Sequence, residues 1–368
     1  MKLLPYALLL LIPALAEARK APKPYKDTDL CGLGKVINRH RLATDFYHVT
    51  QVNAVKEEYE YLQSRLGKCR SFEKQMDGYR AFMVEGTVDF GLDFTDSGEL
   101  LKVEISSAAR TNDSYALAIA DFSGTAVRPS YFLAKNGEAI LSRDDDKPFS
   151  APRSRYIQLL GQLSDQVQKK GTAWAAVVPI ENAKKAEKAE FLNQFPEGSL
   201  FTVDTLKNFV LFYEDGSAAD HLLALLDRNA LNRLERKQGY FLSNRERDEL
   251  AAGKVASLKV NGADGRPLEI TKANLGWHLA TRDACAGLYK LRDDPALLRR
   301  NTIVEERQKN ASLFFDWGKD TFLVTKLWKS NGQWFCASIA GEQSREISVA
   351  YEILHLTLDR IERIAGQN

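Results

Sequence analysis

Pro196-Glu197-Gly198-Ser199-Leu200-Phe201-Thr202-Val203-Asp204-Thr205-Leu206 is followed, seven residues on, by Glu214-Asp215-Gly216-Ser217-Ala218-Ala219-Asp220-His221-Leu222-Leu223. Pro196-Glu197-Gly198 is turn chemistry. Thr202 is a good helix N-cap, and Leu206, Phe209, Val210 and Tyr213 behind it share one helical face. Glu214-Asp215-Gly216 breaks that helix, and Asp215 can cap the next one, which carries Leu222, Leu223, Leu225 and Leu226. The stretch is a helical block entered through a turn.

Strands lie on both sides of this block. Upstream, residues 131–134 and 139–141 flank Lys135-Asn136-Gly137-Glu138, a hairpin with Asn-Gly at its turn. Acidic residues 144–146 and Pro148 then lead to an amphipathic helix marked by Tyr156, Leu159, Leu160, Leu163 and Val167. Residues 115–120 are apolar and predict a strand, and residues 183–189 predict a solvated helical face. Downstream, residues 312–316, 321–328 and 333–340 are strand-like and joined by short turns, an antiparallel meander. Ile347, Ala350, Tyr351, Leu354, Leu358 and Ile361 predict a long amphipathic C-terminal helix. The two β segments are expected to share one antiparallel sheet, with the helical block beside it.

The N-terminal part differs in pattern. Residues 41–66 are helix-like, and alternation of Val88, Phe90, Leu92 and Phe94, then Leu101, Val103 and Ile105, predicts strands. Residues 107–113 form a polar, loop-like run. One helix on a curled antiparallel sheet is the economical arrangement. The chain has 368 residues, a length that suits two domains. The expected division is a signal peptide over 1–18, a small α+β domain over 19–110, and an antiparallel sheet flanked by helices with an all-helical subdomain over 111–368.

Composition excludes several classes. At 44% hydrophobic and 27% charged the chain is an ordinary globular one, not a disordered one. A net charge of +2 offers no bulk attraction to nucleic acid or an anionic membrane. Residues 3–16 are apolar after Lys2 and end in Ala14-Leu15-Ala16-Glu17-Ala18, small-x-small cleavage patterns. The run is shorter than the ~20 residues of a spanning helix, so a cleaved secretory signal and a periplasmic or secreted location are expected, without a transmembrane anchor. Export brings oxidising conditions to Cys31, Cys69, Cys285 and Cys336. Three connectivities are possible; the grouping favours Cys31–Cys69, while Cys285 and Cys336 read equally well as small buried hydrophobes. The histidines are scattered and there is no CxxC, so neither a metal site nor a cofactor is expected.

The order of hairpin, helical block, meander and terminal helix resembles the penicillin-recognising serine hydrolases, specifically the class A β-lactamase fold. Residues 196–206 running into 214–223 look like that family's turn, helix and Ser-Asp-Asn loop. Phe241-Leu242-Ser243-Asn244-Arg245-Glu246 is similar to a stretch of exported β-lactamase-related hydrolases. Such relatives often carry a small NTF2-like or cystatin-like N-terminal domain, which suits residues 31–107. The resemblance implies acyl transfer through S-x-x-K, S-D-N and K-T-G motifs.

All three motifs are altered. S-x-x-K falls on Arg153-Ser154-Arg155-Tyr156, and S-D-N on Glu214-Asp215-Gly216. K-T-G belongs near Phe314-Phe315-Asp316, and no Lys-Thr/Ser-Gly exists in the chain. Ser154 is the candidate nucleophile, with Ser150 nearby, Tyr156 a candidate base, and Glu214 and Asp215 the remnant of the second motif. Arg cannot act as base, and Tyr156 could do so only with a strongly lowered pKa. Glu246 and Glu249 lie where the family places its deacylating Glu, and read as parts of a solvated helix. Arg153, Arg155 and Lys319 are candidate anion ligands, Lys319 and Lys309 being the lysines nearest the lost K-T-G. The expectation is an exported, catalytically degenerate homologue that binds a peptidoglycan-derived or β-lactam-like ligand, or an envelope protein. The alternatives are an active serine hydrolase with displaced groups, and a ligand pocket in the N-terminal domain.

Overall fold

The computed structural model describes residues 31–37, 39–41, 48–76, 78–124, 126–170, 174–186, 191–300, 311–317, 321–342 and 350–367. The expected leader over 1–18, and Lys309 and Lys319, lie outside the described residues.

The N-terminal unit comprises α1 (Leu33–Ile37), α2 (His48–Leu66), β1 (Cys69–Gln75), β2 (Gly78–Met83), β3 (Gly86–Phe94) and β4 (Leu100–Arg110). The strands form one antiparallel sheet in chain order. Val88 and Phe90 alternate inward on β3, as Val103 and Ile105 do on β4, and all meet Tyr59, Leu62 and Leu66 of α2. Period two on the sheet thus faces a helical stripe, the arrangement the sequence predicts. The first strand left no apolar signal because it is an edge with mostly exposed side chains. Residues 107–110, which read as loop, instead continue β4: Ala108 is buried and the Ser107 hydroxyl donates to Asp89 at 2.7 Å. Cys31 and Cys69 are disulfide-bonded, with Cα atoms 5.9 Å apart.

The second unit starts with α3 (Tyr115–Ser123), β5 (Val127–Lys135), β6 (Glu138–Arg143), β7 (Phe149–Ser150) and α4 (Arg155–Lys170). Next come β8 (Val177–Pro179), β9 (Leu200–Thr202), α5 (Val203–Tyr213), α6 (Gly216–Leu223), α7 (Arg228–Asn232) and α8 (Asn244–Ala251). A hairpin of β10 (Ser257–Asn261) and β11 (Pro267–Thr271) leads to β12 (His278–Leu279), α9 (Thr281–Lys290) and α10 (Pro295–Arg300). The meander β13 (Ala311–Trp317), β14 (Thr321–Ser330) and β15 (Gln333–Glu342) precedes α11 (Ala350–Gln367).

The two β segments do share a sheet, ordered β13-β14-β15-β5-β6 and antiparallel throughout. Alternation sorts its side chains onto two faces. Leu133, Phe322, Val324, Trp328, Phe335 and Ile339 pack with α3 and with Leu354, Leu358 and Ile361 of α11. Phe132, Ala134, Leu327 and Cys336 face the other way, toward α4 and α9 and the helical block. The fold is α+β, with helices on both faces of the sheet.

Two further expectations are corrected. Residues 115–120 form helix, not strand: the Ser114 side chain accepts the Leu117 N–H at 3.2 Å, and Ala118, Ile119 and Phe122 bury one helical face. Tertiary contact and a cap outweigh an apolar run that fits either period. Within 183–189 the described residues make only a 3-10 turn, Asn182–Lys184, because Ala186 turns inward and its N–H donates to the Ser217 hydroxyl at 2.8 Å. Of the alternatives open for Cys285 and Cys336, pairing holds: they form a disulfide, with Cα atoms 5.7 Å apart, tying α9 to β15.

Candidate functional site

The start of α4 is placed by strand pairing. β7 pairs with β12, and the Ala151 N–H donates to the Trp277 carbonyl at 2.8 Å. This delivers Arg153 and Ser154 beside β13. There the Asp316 carboxylate accepts the backbone N–H groups of both, at 2.5 and 2.9 Å. Helix starts leave such amides unsatisfied; here a side chain 162 residues away in sequence from Ser154 satisfies them. Burial raises the Asp316 pKa, opposed by the Ser154 and Arg153 donors and the Arg155 charge. Replacing Asp316 with Ala should therefore cost about 1–3 kcal/mol, the penalty for stranding buried donors. Urea unfolding measures that loss, and Asp316→Asn, which keeps one acceptor, should cost less in it. Equal stability of all three proteins would contradict this account of the helix start.

Ser154 is wholly buried and does not line the cavity beside α4. The Arg155 guanidinium lies 3.9 Å from the Tyr156 ring centre and 3.7 Å from that of Trp277, and donates to Asn244 Oδ1 at 2.7 Å. Burial lowers its pKa. It also donates to the Tyr156 hydroxyl, which in turn donates to the Glu214 carbonyl at 3.1 Å. Burial pushes the Tyr156 phenol up to about 12, despite the opposing pull of Arg155. A phenol in that state is protonated at neutral pH and is no general base.

Glu214 closes α5 in the left-handed region, at φ 54° and ψ 33°. This geometry is uncommon for a residue with a Cβ, and it swings the chain sharply into α6. The Glu214 carboxylate pairs with exposed Arg153 at 3.4 Å. Asp215 caps α6 through the Ala218 N–H at 2.8 Å, and its second oxygen accepts the Leu192 N–H at 2.8 Å. That carboxylate thus holds the loop around 191–195 against α6.

Sequence reading did not single out Asn244. Its N–H and side-chain amide both donate to Asp220, at 2.8 and 2.9 Å, while its Oδ1 receives Arg155. Burial raises the Asp220 carboxyl to about 6, against the pull of the Arg245 and Asn244 donors. The available signal was the capping box Ser243-x-x-Glu246, which fixes the start of α8 and so aims Asn244 at α4. Glu246 is engaged in that box and with Arg228 at 2.8 Å; Glu249 pairs with Arg245 at 2.9 Å.

These elements enclose an open cavity of about 520 Å³. Arg155, Tyr156, Glu214 and Asp215, four of the residues singled out from sequence, line it together. Phe191, Gln194, Tyr213, Asn244, Arg247 and Asp248 complete most of the wall, and among the described residues no lysine contributes. Lys319 lies outside the described residues. Among the described residues no group of three His, Cys, Asp or Glu side chains could hold a metal ion, and no helix is long and apolar enough to cross a membrane.

No family model matches the chain, and no curated protein matches it. Solved structures do resemble it. A β-lactamase from Sphaerobacter thermophilus is 14% identical at a TM-score of 0.45, over 68% of this chain and 97% of that one. PBP-A, as its acyl-enzyme with penicillin G, is 12% identical at 0.46, over 69% and 96%. A β-lactamase from Chitinophaga pinensis is 10% identical at 0.45, over 69% and 99%. These are likenesses of fold.

Proposed function

We propose that this chain is an exported, non-catalytic binding protein of β-lactamase-like fold, working in the cell envelope on a peptidoglycan-derived ligand held in the cleft beside α4. One observation carries the loss of catalysis: Asp316 already occupies the paired amides at the start of α4. Acyl transfer needs an activated nucleophile and free donors for a developing oxyanion. Here Ser154 is buried, the amides hold an internal carboxylate, and the phenol at the lysine position resists ionisation. What remains is an open, mostly polar cavity of a size suited to a small ligand. The apolar leader-like run and two disulfides support an oxidising, extracytoplasmic setting.

Incubation with a fluorescent penicillin, followed by intact-mass measurement, tests this directly. No adduct and no nitrocefin turnover above buffer are expected. A stable acyl adduct on any serine would establish the rival, an active hydrolase with displaced groups.

A further inference from the structure

We propose that the cleft is built for a neutral saccharide, stacked on Tyr213, rather than for a peptide or other ligand with a free carboxylate. This rests on the binding reading above and specifies its ligand.

The first observation is an exposed aromatic platform. Tyr213, the last residue of α5, leaves 63% of its surface exposed at the edge of the cavity. Its ring stacks on Phe191, with centres 5.2 Å apart and planes within 8°. Phe191 in turn meets Phe209 edge-on at 4.9 Å and Phe195 at 5.9 Å, and Phe195 meets Phe201 at 4.9 Å. An exposed large ring forgoes burial worth about 1.5–3 kcal/mol. This one is nevertheless held in one orientation by a rigid aromatic stack. Such a surface accepts the C–H face of a pyranose ring at little entropic cost, since its ordering precedes binding.

The second observation is that the charged side chains described in the wall of the cleft are matched there. Arg247 pairs with Asp248 at 3.3 Å, and Arg153 with Glu214 at 3.4 Å. Asp215 accepts two backbone N–H groups, and Arg155 is stacked between two rings and bonded to Asn244. A ligand carboxylate would have to compete with Asp248 or Glu214 for its cation, and would meet those acids at close range. A hydroxyl has no such conflict. Asp248 keeps lone pairs, and Arg247 keeps N–H groups, beyond those used in their mutual pair. Vicinal hydroxyls can therefore donate to Asp248 and accept from Arg247 without uncovering a charge. An exposed aromatic ring in the same cavity wall as charge-compensated hydrogen-bonding groups is the chemistry of a sugar site.

The test uses the mature full-length chain, titrated calorimetrically with chitotriose, with cellotriose, and with a short peptide ending in a free carboxylate. Saturable binding of at least one sugar is expected, little changed between about 50 and about 500 mM NaCl because no ion pair forms. Tyr213→Ala should weaken it about tenfold or more, and Tyr213→Trp should retain it, with thermal melting confirming both folds. Binding of neither sugar, unchanged sugar binding by Tyr213→Ala, or salt-sensitive binding of the peptide alone would each overturn the proposal. None of these outcomes requires an acyl adduct, so the non-catalytic reading is judged separately by the penicillin experiment.

Discussion

The double replacement Cys285→Ala, Cys336→Ala should lower the free energy of unfolding by about 4 kcal/mol, the value for a crosslink closing a loop of this length. The two residues are 51 apart in sequence and each is 2% exposed. Their bond pins α9 to β15, and through α9 it holds the start of α4, which packs alongside α9 across a close Gly161–Gly287 approach. Without it the unfolded chain regains the freedom the loop denies it. Urea unfolding followed by tryptophan fluorescence measures the change. A loss below about 1 kcal/mol would mean that the core holds α9 in place unaided.

Arg360→Met should cost about 3–5 kcal/mol, the penalty for removing one partner of a buried ion pair. Arg360 sits on α11 with 5% exposure. It donates to both oxygens of Asp113, at 2.7 and 2.8 Å, and to Asp121 of α3 at 2.7 Å. Burial pulls its pKa down, but the two carboxylates outweigh that and hold it above its ordinary value. Removing the guanidinium leaves Asp113 without these bonds and Asp121 with Arg110 at 3.3 Å. The triple variant Arg360→Met, Asp113→Asn, Asp121→Asn should recover much of the loss, because the uncompensated charges go with it. If the triple variant is as unstable as the single one, the penalty lies in packing and not in stranded charge.

The network has a structural consequence. Leu356 of the same helix packs into the core of the N-terminal unit, and Arg363 donates to the Ala108 carbonyl on β4. The helix α11 therefore belongs to both units, filling the sheet with one face and bracing β4 with another. Periodicity in the sequence reports the first face only, since Leu354, Leu358 and Ile361 recur at helical spacing. The second partner of a helix leaves no period of its own.

The features legible in the residues alone are local ones. The caps at Thr202 and Asp215, the break at Glu214, the Asn-Gly hairpin and the meander are each written within a few residues, and the structure has each of them. So is the α+β class, because alternation and helical spacing are short-range properties of a chain. The run 115–120 was ambiguous for the same reason: six apolar residues fit both periods, and burial against the sheet chose helix. Pairing across long separations is set by the packed fold. Asp316 meets Arg153 across 163 positions, Arg155 meets Asn244 across 89, and Cys285 meets Cys336 across 51. These contacts put an internal carboxylate on the amides at the start of α4, and turn a candidate anion ligand, Arg155, into a guanidinium stacked on Trp277. No residue type or spacing encodes them, because they depend on which surfaces the packed core brings together, and that is fixed only when the whole sheet has formed.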